Sequence, residues 1–352
     1  MLKPVNCFFA ALVFFAAPLS LSPGAPAKQG GQLQTSHVAR GRVLPVVLDL
    51  ENIQRTPERL VRGKYLVEGL MQCTICHSQM DFAHRPAQPV PGTRGGGRDH
   101  GRGNRPEGTR IVAPNITPDP EYGAGKWSDG DFVRALRQGI GHDGRTLFRL
   151  MPSEYFRSLS DEDLASVIVY VRSLAPVHVQ QPKTEMPESL AKTLHSFPPV
   201  DHVPEPDKSD PISYGKYLVT AGHCVACHTP HEENGDLMSG MEFAGGQVFH
   251  GPYGPDGQTV AVASLNLTSD ASGISYLDEA KFIEVIRTGR VSARALAPIM
   301  PWGYFRNLTD DDLKAIFAYL RTVNPVKHRV DNTEPPTYCR VCRRAHGFGD
   351  KN

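Results

Sequence analysis

Residues 73–77 read Cys-Thr-Ile-Cys-His and residues 224–228 read Cys-Val-Ala-Cys-His, so one motif occurs twice in the chain. Gly-Lys-Tyr-Leu-Val precedes both copies, at residues 63–67 and 215–219. Downstream of each copy follow an Asn-x-Thr, a Met-Pro and a Tyr-Phe, in the same order and at an offset of about 150 residues. We therefore predict a tandem duplication of one domain of about 115 residues, which is an ordinary domain size.

Overall charge and hydropathy exclude two broad classes of protein. The chain has 352 residues, and its 38 Lys and Arg residues against 37 Asp and Glu residues give a formal net charge of +1. That balance argues against a nucleic-acid-binding protein, which would need a strongly basic face. No apolar run reaches the roughly 18 residues that span a bilayer, so a polytopic membrane protein is excluded.

The N-terminus has the pattern of an export signal. Lys3 supplies the positive charge, residues 5–17 are apolar, and residues 25–27 (Ala-Pro-Ala) offer a cleavage site. We expect a signal peptide over residues 1–27 and a periplasmic location; retention of this segment as a membrane anchor is the alternative. Cleavage would remove Cys7 and leave six of the seven cysteines.

The remaining chain divides at changes in composition. We expect the Gly/Arg-rich run between Pro86 and Arg110 to be a mobile surface loop. The prolines of the stretch between the copies favour extended backbone, which predicts a linker. The predicted segments are a poorly structured lead-in (28–57), domain 1 (58–178), the Pro-rich linker (179–211), domain 2 (212–326) and a C-terminal tail with a Cys pair (327–352).

Helical patterns recur in both copies, and no long stretch alternates with period two, so we predict an all-α fold with little sheet. Ser160 and Thr309 have the pattern of N-caps, with Asp163 and Asp312 at the capping-box position, before an apolar stripe of helical period. Other helices are expected at residues 59–68, 131–138, 212–220 and 279–288.

Cys-x-x-Cys-His indicates covalent attachment of a c-type haem. The two thiols add to the vinyl groups of one haem, and the adjacent His becomes an axial ligand of the iron. A redox dithiol or half of a zinc site would use the same Cys-x-x-Cys. Because the His follows in both copies of an exported repeat, we predict two covalent haems. The attachment residues are Cys73, Cys76, Cys224 and Cys227, and the axial residues are His77 and His228.

Met151 and Met300 are the candidates for the sixth iron ligand. Each precedes a proline and comes before the capped helix that ends its copy. A thioether ligand raises the reduction potential relative to a second His and blocks substrate access to iron. Other candidates have less support: Met80 is too close to His77, Met238 and Met241 have no counterpart in the first copy, and His84 and His142 are expected on the surface.

At this level of detail both copies resemble class I cytochrome c domains. The first copy resembles the cytochrome subunits of membrane-associated alcohol and sugar dehydrogenases in residues 115–119 (Asn-Ile-Thr-Pro-Asp), Trp127 and Phe132. The second copy keeps residues 266–268 (Asn-Leu-Thr) and the Met-Pro but lacks the tryptophan. The resemblance implies the axial pairs His77 with Met151 and His228 with Met300, and it covers about two-thirds of the chain.

Two departures limit what the resemblance carries over. The related subunits usually hold three haems, whereas this chain has two complete motifs. The third Cys-x-x-Cys, Cys339 with Cys342, has Arg343 where a haem motif needs His, so no third haem is predicted. A disulfide between these cysteines and a metal site that adds His346 both remain open; the metal site lacks an evident fourth ligand.

The function expected from these motifs is electron transfer between redox partner proteins, from a periplasmic dehydrogenase to a respiratory acceptor, with peripheral membrane association as an option. The alternative is a dihaem cytochrome c peroxidase. That enzyme needs an open iron position with an acid–base group above it. Both copies instead offer a Met, so we expect a carrier without catalytic residues and without nucleic acid as a partner.

Overall fold

The structure is a computed structural model that describes residues 48–103, 105–254 and 257–352. The predicted signal peptide and the lead-in up to residue 47 lie outside the described residues. The described chain belongs to one compact unit. None of its helices is long and apolar enough to cross a bilayer.

Helices are the main regular elements of the described residues, as predicted, and short strands accompany them. The α-helices are α1 (Pro57–Tyr65), α2 (Cys73–Cys76), α3 (Asp129–Gln138), α4 (Ser153–Phe156), α5 (Asp161–Val171), α6 (Glu188–Ala191), α7 (Pro211–Ala221), α8 (Cys224–His228), α9 (Glu279–Thr288), α10 (Trp302–Phe305) and α11 (Asp310–Leu320). A π-helical turn, Leu66–Leu70, extends α1, and a 3₁₀ turn covers Gly349–Lys351.

Sheet is limited, as expected, and in the described part of the chain it consists of five antiparallel two-stranded ladders. The strands are β1 (Met80–Asp81), β2 (Gln88–Pro89), β3 (Arg98–Asp99), β4 (Val112–Ala113), β5 (Val248–Gly251), β6 (Val260–Ala263), β7 (Arg290–Val291), β8 (Arg294–Ala295), β9 (Pro336–Tyr338) and β10 (Ala345–Gly347). Their pairing is sequential, from β1 with β2 to β9 with β10. Strands of two to four residues give no periodic signal that sequence could reveal.

The first and last helices of each half cross closely at a glycine. A Cβ atom on Gly63 of α1 would lie 1.9 Å from the carbonyl oxygen of Ser166 in α5. In the second half, a Cβ atom on Gly215 of α7 would lie 1.9 Å from the carbonyl oxygen of Ala315 in α11. Helix axes approach this closely only where a side chain is missing. The repeated Gly-Lys-Tyr-Leu-Val therefore marks a helix crossing.

The predicted N-caps are confirmed, while the predicted capping boxes are not. The hydroxyl of Ser160 accepts from the Asp163 backbone N–H at 3.1 Å, and that of Thr309 accepts from Asp312 N–H at 3.2 Å. The Asp163 carboxylate instead forms a two-bond ion pair with Arg62 (2.7 and 2.8 Å). A fixed guanidinium partner outcompetes the local backbone because a charge-assisted pair is the stronger interaction.

The two halves contact each other through reciprocal tyrosine bonds. Tyr65 donates to the Asp312 carboxylate of the second half at 2.5 Å, and Tyr217 donates to the Asp163 carboxylate of the first half at 2.6 Å. Burial, with the neighbouring carboxylate, raises the pKa of Tyr65 to about 12, and the same causes raise the pKa of Tyr217. Both phenols therefore stay protonated at neutral pH and can donate. Each of these hydrogen bonds joins the first helix of one half to the first turn of the last helix of the other.

The described part of the lead-in and the Pro-rich linker both form hydrogen bonds with the first half. Ile53 of the lead-in is buried, and its N–H donates to Asp129. The stretch between the halves lies along the first half, because Phe197 N–H donates to Gln138 O and Val203 O accepts from Asp161 N–H. The prolines favour extended backbone, as expected, and the edges of the first half provide its hydrogen-bond partners.

Substituting either crossing glycine should destabilise the fold. Gly63→Ala or Gly215→Ala would place a methyl group against backbone, so we expect a loss of at least ~1–3 kcal/mol in the free energy of unfolding, measured by urea denaturation. Gly69→Ala is the matched control, because its Cβ would make an ordinary 3.4 Å contact with the flexible Leu308 side chain. Equal stability of all three variants would contradict the close helix crossing.

Candidate haem sites

One continuous cavity of about 1470 Å³ lies between the two halves. Its walls include every predicted attachment and axial residue, namely Cys73, Cys76, His77, Met151, Cys224, Cys227, His228 and Met300. Pockets for a single small ligand usually measure about 300–1,000 Å³. The volume, the apolar walls and the donor set therefore fit two large, flat, mostly apolar groups.

Each Cys-x-x-Cys-His forms a short helix at the cavity wall. A residue in left-handed conformation starts each one, Gln72 with φ 52° before α2 and His223 with φ 43° before α8. A single helical turn brings residues three apart onto one side. The two cysteines of each motif therefore face the cavity together, and the His follows directly.

Both motif histidines are oriented by the same kind of backbone hydrogen bond. His77 Nδ1 lies 2.8 Å from Pro114 O, and His228 Nδ1 lies 2.8 Å from Leu265 O. A carbonyl can only accept, so each Nδ1 carries the proton and each Nε2 presents a lone pair. Burial lowers the pKa of both imidazoles, which keeps them neutral. This is the state that a metal-binding histidine needs.

The repeated Asn-x-Thr positions these two carbonyls. The Asn115 side-chain oxygen accepts from both the N–H and the hydroxyl of Thr117, and its amide donates to Val177 O at 2.6 Å. Asn266 and Thr268 repeat the arrangement. The asparagine directly follows the residue whose carbonyl holds the histidine. The sequence shows Asn-x-Thr as a repeated motif but does not reveal that it positions these carbonyls.

The motif thiols do not have the character of a redox dithiol. Burial raises the pKa of both Cys73 and Cys224 to about 12, with the second thiol of each pair adding to the shift. Catalytic dithiols have a lowered pKa, because the thiolate is the reactive form. Burial also raises the pKa of Cys227 to about 11.

Met151 and Met300 lie on the cavity wall in equivalent turns. In each, the N–H of the residue two positions on donates to the methionine carbonyl at 2.8 Å, as with Ser153 and Trp302. Met238 and Met241 instead pack in a separate cluster with Cys339 and Cys342. Met186, which belongs to no repeated motif, also lines the cavity.

The Gly/Arg-rich run is part of the cavity wall, so the prediction of a mobile surface loop is wrong for its central residues. Arg98 and Arg105 line the cavity, and Gly95 to Gly97 are buried against neighbouring chain. Burial lowers the pKa of Arg98 and of Arg105, and neither has a carboxylate partner among the described residues. Desolvated guanidinium groups of this kind suit an anionic ligand. The arginines of the run were the available signal.

His142 is exposed, as expected, although it also borders the cavity and stacks on Trp127 with ring centroids 4.4 Å apart. His84 is exposed, as expected, and bonds to Asp81 at 2.7 Å. Cys339 and Cys342 lie outside the cavity wall, in a buried cluster between the tail and the second half.

Comparison with known proteins matches residues 212–324 to the family described as cytochrome c. Over 78% of its length the chain is 31% identical to the alcohol dehydrogenase (quinone) cytochrome c subunit of Gluconacetobacter polyoxogenes, covering 58% of that protein. Identity to the subunit of the same name from Gluconobacter oxydans is 32%, over 85% of this chain and 61% of the relative. A diheme cytochrome c-type protein of Cereibacter sphaeroides is 26% identical over 72% of this chain and 83% of its own length.

The chain spans about six-tenths of the length of the two alcohol dehydrogenase subunits. The family match covers the half that contains α7 to α11 and the second Cys-x-x-Cys-His. A cytochrome c domain binds haem covalently through such a motif. Residues 212–324 therefore form a cytochrome c domain, in a chain that is similar to the cytochrome c subunits of alcohol dehydrogenases and to a dihaem c-type cytochrome.

Proposed function

We propose that this chain is an exported electron-transfer protein with two tandem cytochrome c domains, residues 58–178 and 212–326, each holding one haem c. The observation that carries the proposal is the repeated histidine geometry, in which His77 and His228 each donate through Nδ1 to a backbone carbonyl at 2.8 Å. The same arrangement in both halves supports a second haem-binding domain beside the one that the family model matches.

The residues assigned to each haem follow from the cavity walls. Cys73 and Cys76 would attach the first haem and Cys224 and Cys227 the second. His77 with Met151, and His228 with Met300, would be the axial pairs. Arg98 and Arg105 would pair with the haem carboxylates. When bound, each haem supplies the redox chemistry, and the protein supplies orientation, burial and charge.

The closeness of the two motifs supports transfer between the halves. Both motifs line the same cavity, so both pairs of attachment cysteines border one space. Thr74, inside the first motif, hydrogen-bonds to the Tyr304 hydroxyl of the second half at 2.9 Å. Two haems attached here would be neighbours, which suits passage of an electron along the chain.

We infer a dehydrogenase as electron donor, because two relatives are named as dehydrogenase subunits, and we propose a respiratory component as the acceptor. Redox partners of this kind dock through small, transient surfaces. The N-terminal pattern supports a periplasmic location, with peripheral membrane association in a complex. The peroxidase alternative has no support from the three relatives described, which are named as cytochrome c proteins or subunits.

Haem content tests the attachment residues. We expect the mature protein to gain the mass of two haems, and Cys224→Ser with Cys227→Ser to remove one of them, because haem c needs its thioether bonds. Intact-mass spectrometry of protein matured in cells measures this. Cys73→Ser with Cys76→Ser is the matched variant and should remove the other haem. A wild-type chain with one haem or none would refute the tandem proposal.

Ligand access tests the axial methionines. Met300→Ala should open the second iron to carbon monoxide, lower its potential and remove its thioether charge-transfer band, with the first haem unchanged. Met151→Ala should do the same to the first haem. Spectroscopic titration with carbon monoxide and a redox titration measure these changes.

Met186→Ala serves as the control for the axial assignment, because this methionine lines the same cavity from the connecting segment. It should leave both haems closed to carbon monoxide. If Met186→Ala opened an iron and Met300→Ala did not, the assignment of Met300 would be wrong.

A further inference from the structure

Four metal-binding side chains meet in a buried cluster in the tail. His328, Cys339, Cys342 and His346 are each at most 2% exposed. One ligand atom of each, a histidine nitrogen or a cysteine sulfur, lies within 4.8 Å of all the others. The sequence predicted Cys339, Cys342 and His346 as possible ligands but offered no fourth. His328 provides it from the segment after α11, which no spacing rule connects to the Cys pair.

A hairpin presents three of the four side chains. Cys339 directly follows β9, Cys342 lies in the turn, and His346 lies on β10. The turn closes through Arg343 N–H to Cys339 O and Cys339 N–H to Arg344 O, both at 2.8 Å. Arg343 has a φ of 56°, which lets the chain reverse within the few residues between the second sulfur and β10.

The two imidazoles point unprotonated nitrogens at each other. His328 Nδ1 lies 2.9 Å from Ala244 O, and His346 Nδ1 lies 2.8 Å from Gly347 O. Because carbonyls can only accept, both Nδ1 atoms carry the protons. The two Nε2 atoms are 3.2 Å apart in a fully buried position. Two facing lone pairs repel each other unless a proton or a metal ion lies between them.

The spacing matches a tetrahedral zinc ion. Zinc–nitrogen bonds of about 2.0–2.1 Å and zinc–sulfur bonds of about 2.3 Å place two nitrogens about 3.3 Å apart, and a nitrogen and a sulfur about 3.6 Å apart. The two Nε2 atoms are 3.2 Å apart, and Cys339 Sγ lies 3.5 Å from His328 Nε2. We propose that His328, Cys339, Cys342 and His346 bind one structural Zn²⁺.

The charges of the proposed site balance without any further ligand. Two thiolates and two neutral imidazoles neutralise Zn²⁺, and binding releases the two thiol protons to solvent. Four protein ligands fill the tetrahedron, which is the pattern of a structural site and leaves no position for substrate. Both cysteines are unbonded thiols in the structure.

A second layer of hydrogen bonds surrounds the ligands. The Asn352 amide donates to Cys339 Sγ at 3.6 Å. Ala244 O and Gly347 O orient the imidazoles. Such partners are typical of built metal sites, where they hold each ligand in place.

The first half shows which residue corresponds to His328 when no cluster is present. Asn115 donates to Val177 O and Val179 O, and Asn266 donates to Val326 O and His328 O. His328 therefore occupies the place of Val179, which is 47% exposed. The second half has a ligand at this position, and the tail covers it.

The zinc would stabilise the loop at Ala244 and Gly245, which contacts His228. Ala244 accepts from the ligand His328, and the next residue, Gly245, donates to His228 O at 2.7 Å. The metal thus lies a few bonds from a proposed axial residue. This consequence rests on the proposed haem function; zinc binding itself does not.

Metal analysis of the full chain, matured with haem in cells and purified, tests the proposal. We expect about one zinc per chain, with X-ray absorption at the zinc edge showing two sulfur and two nitrogen ligands. His328→Val, which installs the residue type of the first half, and Cys342→Ser should each lower zinc at least ~10-fold. The control, His84→Gln, alters an exposed histidine outside the cluster and should retain zinc.

Peptide mapping with an alkylating agent separates the alternatives even if a variant fails to fold. Wild-type protein stripped of metal under denaturing conditions should expose both Cys339 and Cys342 as alkylatable thiols. A disulfide between them, a chain without zinc, or copper or iron in its place would overturn the proposal. Haem mass is measured separately, so loss of zinc with two haems present refutes this site alone.

Discussion

The close crossing of the first and last helices in each half is the constraint from which the rest of the structure follows. At Gly63 and Gly215 the absence of a side chain lets one helix lie against the backbone of another. Each motif helix begins a few residues beyond the end of its crossing helix. The crossing therefore determines where both cysteines and the histidine meet the cavity, and a methyl group at the glycine would move all three.

The contact between halves places the two motifs at one cavity. Tyr65 donates a hydrogen bond to Asp312 in the last helix of the second half, and Tyr217 donates one to Asp163 in the last helix of the first half. Asp163 also holds Arg62, so its charge is balanced within its own half. Hydrogen bonds to charged groups contribute about 1.5–3 kcal/mol each, which makes this pair of contacts a main source of the fixed orientation. For the proposed electron transfer, fixed orientation matters because the rate depends on the distance between the two haems.

Backbone carbonyls decide the chemistry at three places in the molecule. Pro114 O and Leu265 O set the tautomers of His77 and His228, and Ala244 O sets that of His328. In each case the bond leaves Nε2 free to bind a metal. One simple device thus serves both the proposed haem irons and the proposed zinc. The difference lies in the remaining ligands, which are methionine in the cavity and a histidine with two cysteines in the tail.

Sequence alone determined the local elements: both Cys-x-x-Cys-His motifs, the caps at Ser160 and Thr309, and the amphipathic helices, because each is written in residues a few positions apart. Only the tertiary structure decided which distant groups meet. Arg98 lines the cavity, although the Gly/Arg-rich run was predicted to be a surface loop. Tyr65 and Tyr217 bind carboxylates of the opposite half. His328 lies beside Cys339 and Cys342, which follow it in the chain. Such contacts depend on how packed helices bring separate segments together, and no periodicity or spacing in the sequence encodes that distance.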